Sequence, residues 1–282
     1  MMIKENKVLR LAVTGVTGRM GKSIIQRIIQ TQAHQVDNKF ILGAAIARDR
    51  SDICGIDAGT FVQSSKVGVF ITDNIELVKG DFDVLIDFTA PESTMNYVNF
   101  CVMNNKNMVI GTTGLSKSYL SVIERASSKI GIVYSANFSV GITIMLKLLN
   151  SVSKISRYFV NIDIVESHHN KKKDIPSGTA LLIRNVVEYN QFSDCVCNED
   201  LVSNGEKKYG KLDNDIKIHS IRAGDIVGEH SVLCTSIGER LEIKHQAFNR
   251  IIFVDGALRS AVWLGCAKIG LFDLNNVLKI NM

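Results

Sequence analysis

The sequence predicts a parallel α/β sheet in the first half of the chain and an α+β region after it. Three observations carry this. Near-continuous apolar runs alternate with helical patterns up to residue 139, which is the signature of strands buried on both faces. A glycine-rich turn, Gly15 to Gly21, follows the first of those runs. Beyond Ser139 the rhythm changes to a long helical pattern, an alternating strand at Phe159 to Val165, and strands of an open sheet.

In order, Val8 to Thr14 reads as the first strand and Met20 to Ile29 as the first helix. Phe40 to Ala47, Val67 to Ile71 and Asp83 to Phe88 read as the next three strands. Pro91-Glu92 opens a helix over 92–104, because proline costs nothing where the backbone N–H has no partner. Asn107 to Gly111, a helix over 116–128 and Ile130 to Ser135 complete the series. Val140 to Ile155 has helical spacing, Phe159 to Val165 alternates as a strand, and 178–189 reads as a helix. A polar stretch at 190–214 lacks periodicity. Ile216 to Ile221, His230 to Ser236 and Leu241 to His245 then form an open mixed or antiparallel sheet, and Ala257 to Ile269 a closing helix.

The chain of 282 residues is 46% hydrophobic, enough for a large core in one or two domains. Its formal charge of +5 is mild, and its basic residues are scattered apart from Lys171 to Lys173, so no nucleic-acid partner is expected. None of the six cysteines forms a CxxC pair; Cys195 and Cys197 lack a second half, and no metal is expected. Residues Met1 to Arg10 lack a signal-length apolar core and no run is long enough for a membrane span, so a cytoplasmic protein is expected.

Two segments carry chemistry. Gly15, Gly18 and Gly21 are spaced G-x-x-G-x-x-G, with Thr17 where a dinucleotide fingerprint has its middle glycine. Glycines there allow the turn, the approach of backbone to a pyrophosphate, and close helix packing. After the second strand stand Ala47 and Arg48; an arginine without a carboxylate favours a 2′-phosphate, hence NADPH over NADH, although Asp49 could instead hold a ribose. Phe88-Thr89 and Gly111-Thr112-Thr113-Gly114 end two further strands in the layer where cofactor binds. The second segment, Glu166 to Ala180, holds His168, His169, three lysines and a Pro-Ser-Gly-Thr helix start. Histidine and lysine can deliver protons, and a helix start offers N–H groups to a carboxylate. The competing reading is a solvated basic loop.

In these stretches the chain resembles the bacterial dihydrodipicolinate reductase family over nearly its full length. The resemblance rests on Val13 to Gly21, Asp87-Phe88-Thr89, Gly111 to Gly114, Ala136-Asn137-Phe138-Ser139, Glu166 to Ala180 and Arg222 to His230, in that order. It implies a Rossmann-like dinucleotide-binding domain over 1–139 and 249–282, with a substrate-binding and tetramerisation domain inserted at 140–248. It implies reduction of dehydrated 4-hydroxy-tetrahydrodipicolinate, a small dicarboxylate, by hydride transfer to C4, in a homotetramer. Cofactor contacts would come from Gly15, Val16, Thr17, Gly18, Arg19, Met20, Arg48, Phe88, Gly111, Thr112, Thr113, Ala136, Asn137, Phe138 and Ser139. His168 would be the proton donor/acceptor and Lys172 the proton donor, with His169, Gly178 and Thr179 on the substrate carboxylates. The chain departs from the family at Ala47, commonly Glu, which sharpens the NADPH expectation, and at Asn170 and Lys171, which leave the core spacing intact. Other two-domain dehydrogenases would lack the His-His to Gly-Thr string, and a non-catalytic NADP sensor would lack His168 or Lys172.

Overall fold

A computed structural model describes residues 8–33, 39–155, 159, 161–195, 216–266 and 268–279. His34, Cys197 and residues 196–214 of the polar stretch lie outside that set, as do Met1 to Lys7. The chain divides into two compact units, one of Met1–Ser139 with Ile251–Asn281 and one of Val140–Arg250.

The first unit is built on a seven-stranded sheet: β1 (Leu9–Thr14), β2 (Phe40–Ile46), β3 (Ile71–Thr72), β4 (Val84–Asp87), β5 (Asn107–Ile110), β6 (Gly131–Tyr134) and β11 (Gly270–Phe272). The order is β11-β6-β5-β4-β1-β2-β3, and every pairing is parallel. Apolar clusters cover both faces, as a parallel sheet requires. Helices α1 (Arg19–Ala33) and α7 (Ile251–Leu264) serve one face, α3 (Pro91–Met103) and α4 (Lys117–Ser127) the other. The strand order reverses between β1 and β4, the switch point where ligands bind in such sheets.

The sequence reading of Val67 to Ile71 as a strand is corrected: only Ile71 and Thr72 join the sheet, and Phe70 forms an isolated bridge to Asp57. The cause is Asp57, the N-cap of the short α2 (Ala58–Phe61), whose carboxylate accepts from Val67 N and Gly68 N. Those amides are therefore taken from any ladder, and Gly68 turns into the left-handed region at φ 74. The closing helix starts at Ile251, six residues before the sequence pattern places it, and ends at Leu264. Strand β11 and helix α8 (Leu274–Leu278) follow it.

The second unit has a four-stranded mixed sheet ordered β10-β9-β7-β8, made of β7 (Asn161–His168), β8 (Lys217–Arg222), β9 (Gly228–Ser236) and β10 (Glu239–Ala247). β7 runs parallel to β8 and antiparallel to β9. Helices α5 (Val140–Ser153) and α6 (Gly178–Cys195) share an apolar cluster with the inner face of this sheet. The expected architecture, a Rossmann-like sheet and a separate open mixed sheet, is the one observed.

Candidate active site

In the first unit the expected cofactor residues follow the carboxyl ends of β1, β4, β5 and β6, with Arg48 beyond β2. Gly15 leaves β1 with φ 62, and a Cβ there would lie 2.9 Å from Thr89 Cγ2, so only glycine suits the turn. Gly18 N donates to Gly15 O at 2.8 Å and closes the loop onto α1. A Cβ on Gly21 would sit 2.4 Å from Gly15 O and 2.9 Å from Val16 Cα, so α1 packs directly on the loop backbone. Thr17, Gly18 and Arg19 are exposed, Met20 is half-buried, and Val16 is wholly buried in the core. Val16 therefore offers a ligand backbone only. A glycine-lined turn opening a helix suits a pyrophosphate, so these residues fit a dinucleotide.

Sequence reasoning assigned no role to Asp87, which ties the layer together. Its wholly buried carboxylate accepts from Thr14 Oγ1 (2.6 Å), Thr89 Oγ1 (2.7 Å), Thr94 Oγ1 (2.6 Å) and Thr112 Oγ1 (3.2 Å). Thr89 N in turn donates to Thr112 Oγ1 at 3.1 Å. One carboxylate thus fixes the ends of three strands and the first turn of α3. A Cβ on Gly111 would lie within 2.1 Å of the Phe88 ring, and Phe88 meets Phe138 with ring centroids 5.6 Å apart. Asn137 Oδ1 accepts from Ser139 N, and Ser135 Oγ donates to Asn137 O, which shapes the Ala136 to Ser139 turn. Thr113 and Ala136 are exposed. Arg48 is exposed beyond β2, while Asp49 lies 3.7 Å from Arg50.

In the second unit, β7 continues through Glu166 and Ser167 to His168, so the opening of the chemical cluster belongs to a strand. Period-two alternation turns Glu166 and His168 to the same buried face. Glu166 accepts from His168 Nδ1, from Ser177 N at 3.3 Å, and from Arg222 through a two-pronged pair, Nη1 to Oε2 at 3.0 Å and Nη2 to Oε1 at 2.8 Å. Burial alone would raise the Glu166 pKa; the guanidinium and the imidazole overcome it and hold the carboxyl down to about 2. Burial lowers the His168 pKa, and Lys172 and Arg222 push the same way, while Glu166 opposes them.

His168 Nε2 faces Gly228, where a Cβ would stand 3.1 Å away. His230 meets the His168 ring edge-on at 5.2 Å, and burial drives its pKa down to about 3. Its Nε2 lies 3.2 Å from Ser177 Oγ, which accepts from Ala180 N at 3.1 Å and so caps α6. Lys172 Nζ pairs with Asp174 at 2.8 Å, and Arg222 Nη2 donates to Asp174 O at 2.6 Å. His169 and Thr179 are half-buried, Gly178 is exposed at the start of α6 with open space around it, and Lys171 and Lys173 are exposed. The structure thus brings His168, Lys172 and the α6 start together around Glu166. The expected cofactor residues all belong to the other unit.

Comparison with known proteins gives the family. The N-terminal model of dihydrodipicolinate reductase matches residues 9–138 and the C-terminal model residues 141–278. The chain belongs to the dihydrodipicolinate reductase family. A 4-hydroxy-tetrahydrodipicolinate reductase of Blochmanniella pennsylvanica (strain BPEN) is 49% identical over 276 residues, 97% of each chain. The fold is shared with a dipicolinate-bound dihydrodipicolinate reductase from Paenisporosarcina sp. TG-14, at TM-score 0.69 and 23% identity, covering 94% of this chain and 97% of that one. An amine dehydrogenase from Mycobacterium smegmatis aligns at TM-score 0.57 and 12% identity, covering 95% of each chain. As a dihydrodipicolinate reductase family member the chain is an oxidoreductase that uses NAD(P)H. No helix among the described residues is long and apolar enough to cross a membrane.

Proposed function

We propose that the chain reduces 4-hydroxy-tetrahydrodipicolinate, in its dehydrated form, to tetrahydrodipicolinate in lysine and diaminopimelate biosynthesis, with NADPH preferred over NADH. One arrangement carries the reading: a buried histidine held by a carboxylate, beside a lysine and the open start of α6.

When bound, the reduced nicotinamide supplies a hydride for C4 of the substrate. Charge then gathers over the ring nitrogen and the carbon beside C4, and a proton delivered to that carbon completes the reduction. His168 keeps one proton on Nδ1, toward Glu166, so the proton it exchanges is on Nε2. Lys172, steered by Asp174, is the second donor, and its charge and that of His168 favour a dianionic substrate. The backbone of Gly178 and Thr179, at the positive end of the α6 dipole, takes one carboxylate. His169 takes the other.

Gly15, Val16, Thr17, Gly18, Arg19 and Met20 cradle the pyrophosphate by backbone. Phe88, Gly111, Thr112, Thr113 and Ala136 to Ser139 line the nicotinamide end. Exposed Arg48, next to Ala47, takes the 2′-phosphate, which supports the NADPH preference. Residues 1–139 with 249–282 act as the cofactor domain and 140–248 as the substrate domain. The second also builds a homotetramer, a role carried over from the family resemblance. We place the enzyme in the cytoplasm.

The test is a spectrophotometric assay of NADPH, then NADH, oxidation with freshly condensed pyruvate and aspartate semialdehyde. Consumption with NADPH favoured is expected; no consumption of either overturns the activity, and faster use of NADH overturns the role of Arg48.

A further inference from the structure

We propose that Glu166 is the positioning residue of this site: it fixes which ring nitrogen of His168 carries the proton, and Arg222 holds it in place. The proposal rests on the reading of His168 as the group that exchanges a proton with substrate.

The geometry leaves Glu166 little freedom. Its side chain is wholly buried, and each oxygen has a named partner: Oε2 the imidazole Nδ1 and Arg222 Nη1, Oε1 Arg222 Nη2 and Ser177 N. A carboxylate only accepts, so Nδ1 must be the protonated nitrogen, and in the neutral ring Nε2 is left with its lone pair. Buried charges of this kind persist only when paired and hydrogen-bonded, which the planar two-pronged fork of Arg222 achieves and a lysine would not. The same carboxylate reaches three parts of the site at once. Ser177 N anchors the α6 start beside Gly178 and Thr179, and Arg222 bonds the carbonyl of Asp174, the partner of Lys172.

The groups facing His168 come from every surrounding element. Glu166 lies on its own strand, Arg222 on β8, and His230, backed across the ladder by His245, on β9 and β10. Lys172 and Asp174 face it from the connection to α6. Of these, Glu166 favours the charged imidazole most strongly, whereas Lys172 and Arg222 oppose it. Removing the carboxylate therefore shifts His168 toward losing its proton more readily.

The test combines two variants and one measurement on the unaltered protein. Glu166→Gln keeps the shape but presents an amide. It is expected to lower kcat roughly 10- to 100-fold with KM for the dicarboxylate within about threefold. The limb of the kcat–pH profile that reports His168 should move to lower pH. Glu166→Asp, which keeps the charge, should return that limb toward its original position. Nitrogen-15 NMR of histidine-labelled unaltered protein, with the His168 signal identified by its absence in His168→Gln, should show Nδ1 protonated and Nε2 bare in the neutral ring. A proton on Nε2 overturns the assignment even if Glu166→Gln fails to fold. An unmoved limb with near-normal kcat in folded Glu166→Gln overturns it too. If unaltered protein shows no reductase activity, the activity reading fails, while the NMR result still decides what Glu166 does.

Discussion

Replacing Gly21 by alanine separates two opposed effects at the cofactor loop. Gly21 lies within α1, where alanine is intrinsically better than glycine by about 1 kcal/mol. Against that, the new Cβ would stand 2.4 Å from Gly15 O and 2.9 Å from both Gly15 C and Val16 Cα. Ordinary contact begins near 3.4 Å, so a gap of about 1 Å must open between the loop and α1. All three neighbours are backbone atoms, and no flexible side chain can give way. Overpacking of this kind costs about 1–3 kcal/mol, and a backbone clash belongs at the upper end. The steric term wins, with a net loss of about 2 kcal/mol. For a domain of this size that is a fall in Tm of roughly 4–8 °C. The same shift moves the N–H groups meant for the pyrophosphate, so KM for NADPH should rise about tenfold, with KM for the dicarboxylate unchanged. Calorimetry and steady-state kinetics read both quantities. Gly18→Ala is the internal control, since its Cβ meets only Gly15 O, at 3.1 Å. It should cost less stability. Wild-type Tm and KM in Gly21→Ala, or a larger fall in Tm in Gly18→Ala, would refute the reasoning.

Other substitutions and conditions probe the remaining parts. Asp87→Asn leaves four threonine hydroxyls facing a neutral amide, and should destabilise the first unit by about 2 kcal/mol and raise KM for NADPH, read by urea titration and kinetics. Arg48→Ala should raise KM for NADPH about tenfold and leave KM for NADH unchanged, the loss of one exposed charged contact to a phosphate. Gly228→Ala presses on the His168 ring from 3.1 Å and should lower kcat more than it alters KM. Acid should loosen the second unit in two stages. His230, neutral in the fold and held down to about 3, costs stability as pH falls below 6.5, because the unfolded chain binds the proton first. Glu166, held at about 2, adds stability that is complete above about pH 4.5 and is lost as pH falls toward 2. Hydrogen exchange of β7 and β9 amides at pH 7, 5 and 3.5 should show falling protection; flat protection would contradict both assignments.

Most of the first sheet was legible because its strands are short apolar runs, and such runs announce themselves when both faces are buried. The exceptions have local causes. Val67 to Ile71 looks like a strand, but the Asp57 carboxylate, ten residues before it, takes two of its amides, and periodicity does not say which side chain claims which backbone donor. Gly270 to Phe272 is too short for periodicity and is a strand only because the edge of β6 accepts it. The chemical cluster was legible as residue types, yet its opening lies on β7 rather than in a loop. The spacing of Glu166 and His168, two apart, was the available signal that they share a face. Arg222 and His230 reach that face from neighbouring strands, and their roles depend on pairing that sequence alone does not state. Asp87 was visible only as part of a motif; its four threonine partners come from four separate segments.

The late arrival of α7 and β11 in the first unit has a consequence for synthesis. As the chain leaves the ribosome, β6 is complete while the strand that borders it and the helix that covers β4 to β6 are still untranslated. At about 5–20 residues per second, residues 140–250 take roughly 5–20 s to make. Throughout that interval β6 presents an unpaired edge and an uncovered apolar face, the combination that templates aggregation. The inserted unit, continuous in sequence, can fold during the wait. The β6 edge, rather than the mixed sheet, is therefore the aggregation-prone part of the nascent chain, and ribosome pausing between 251 and 272 would lengthen that exposure.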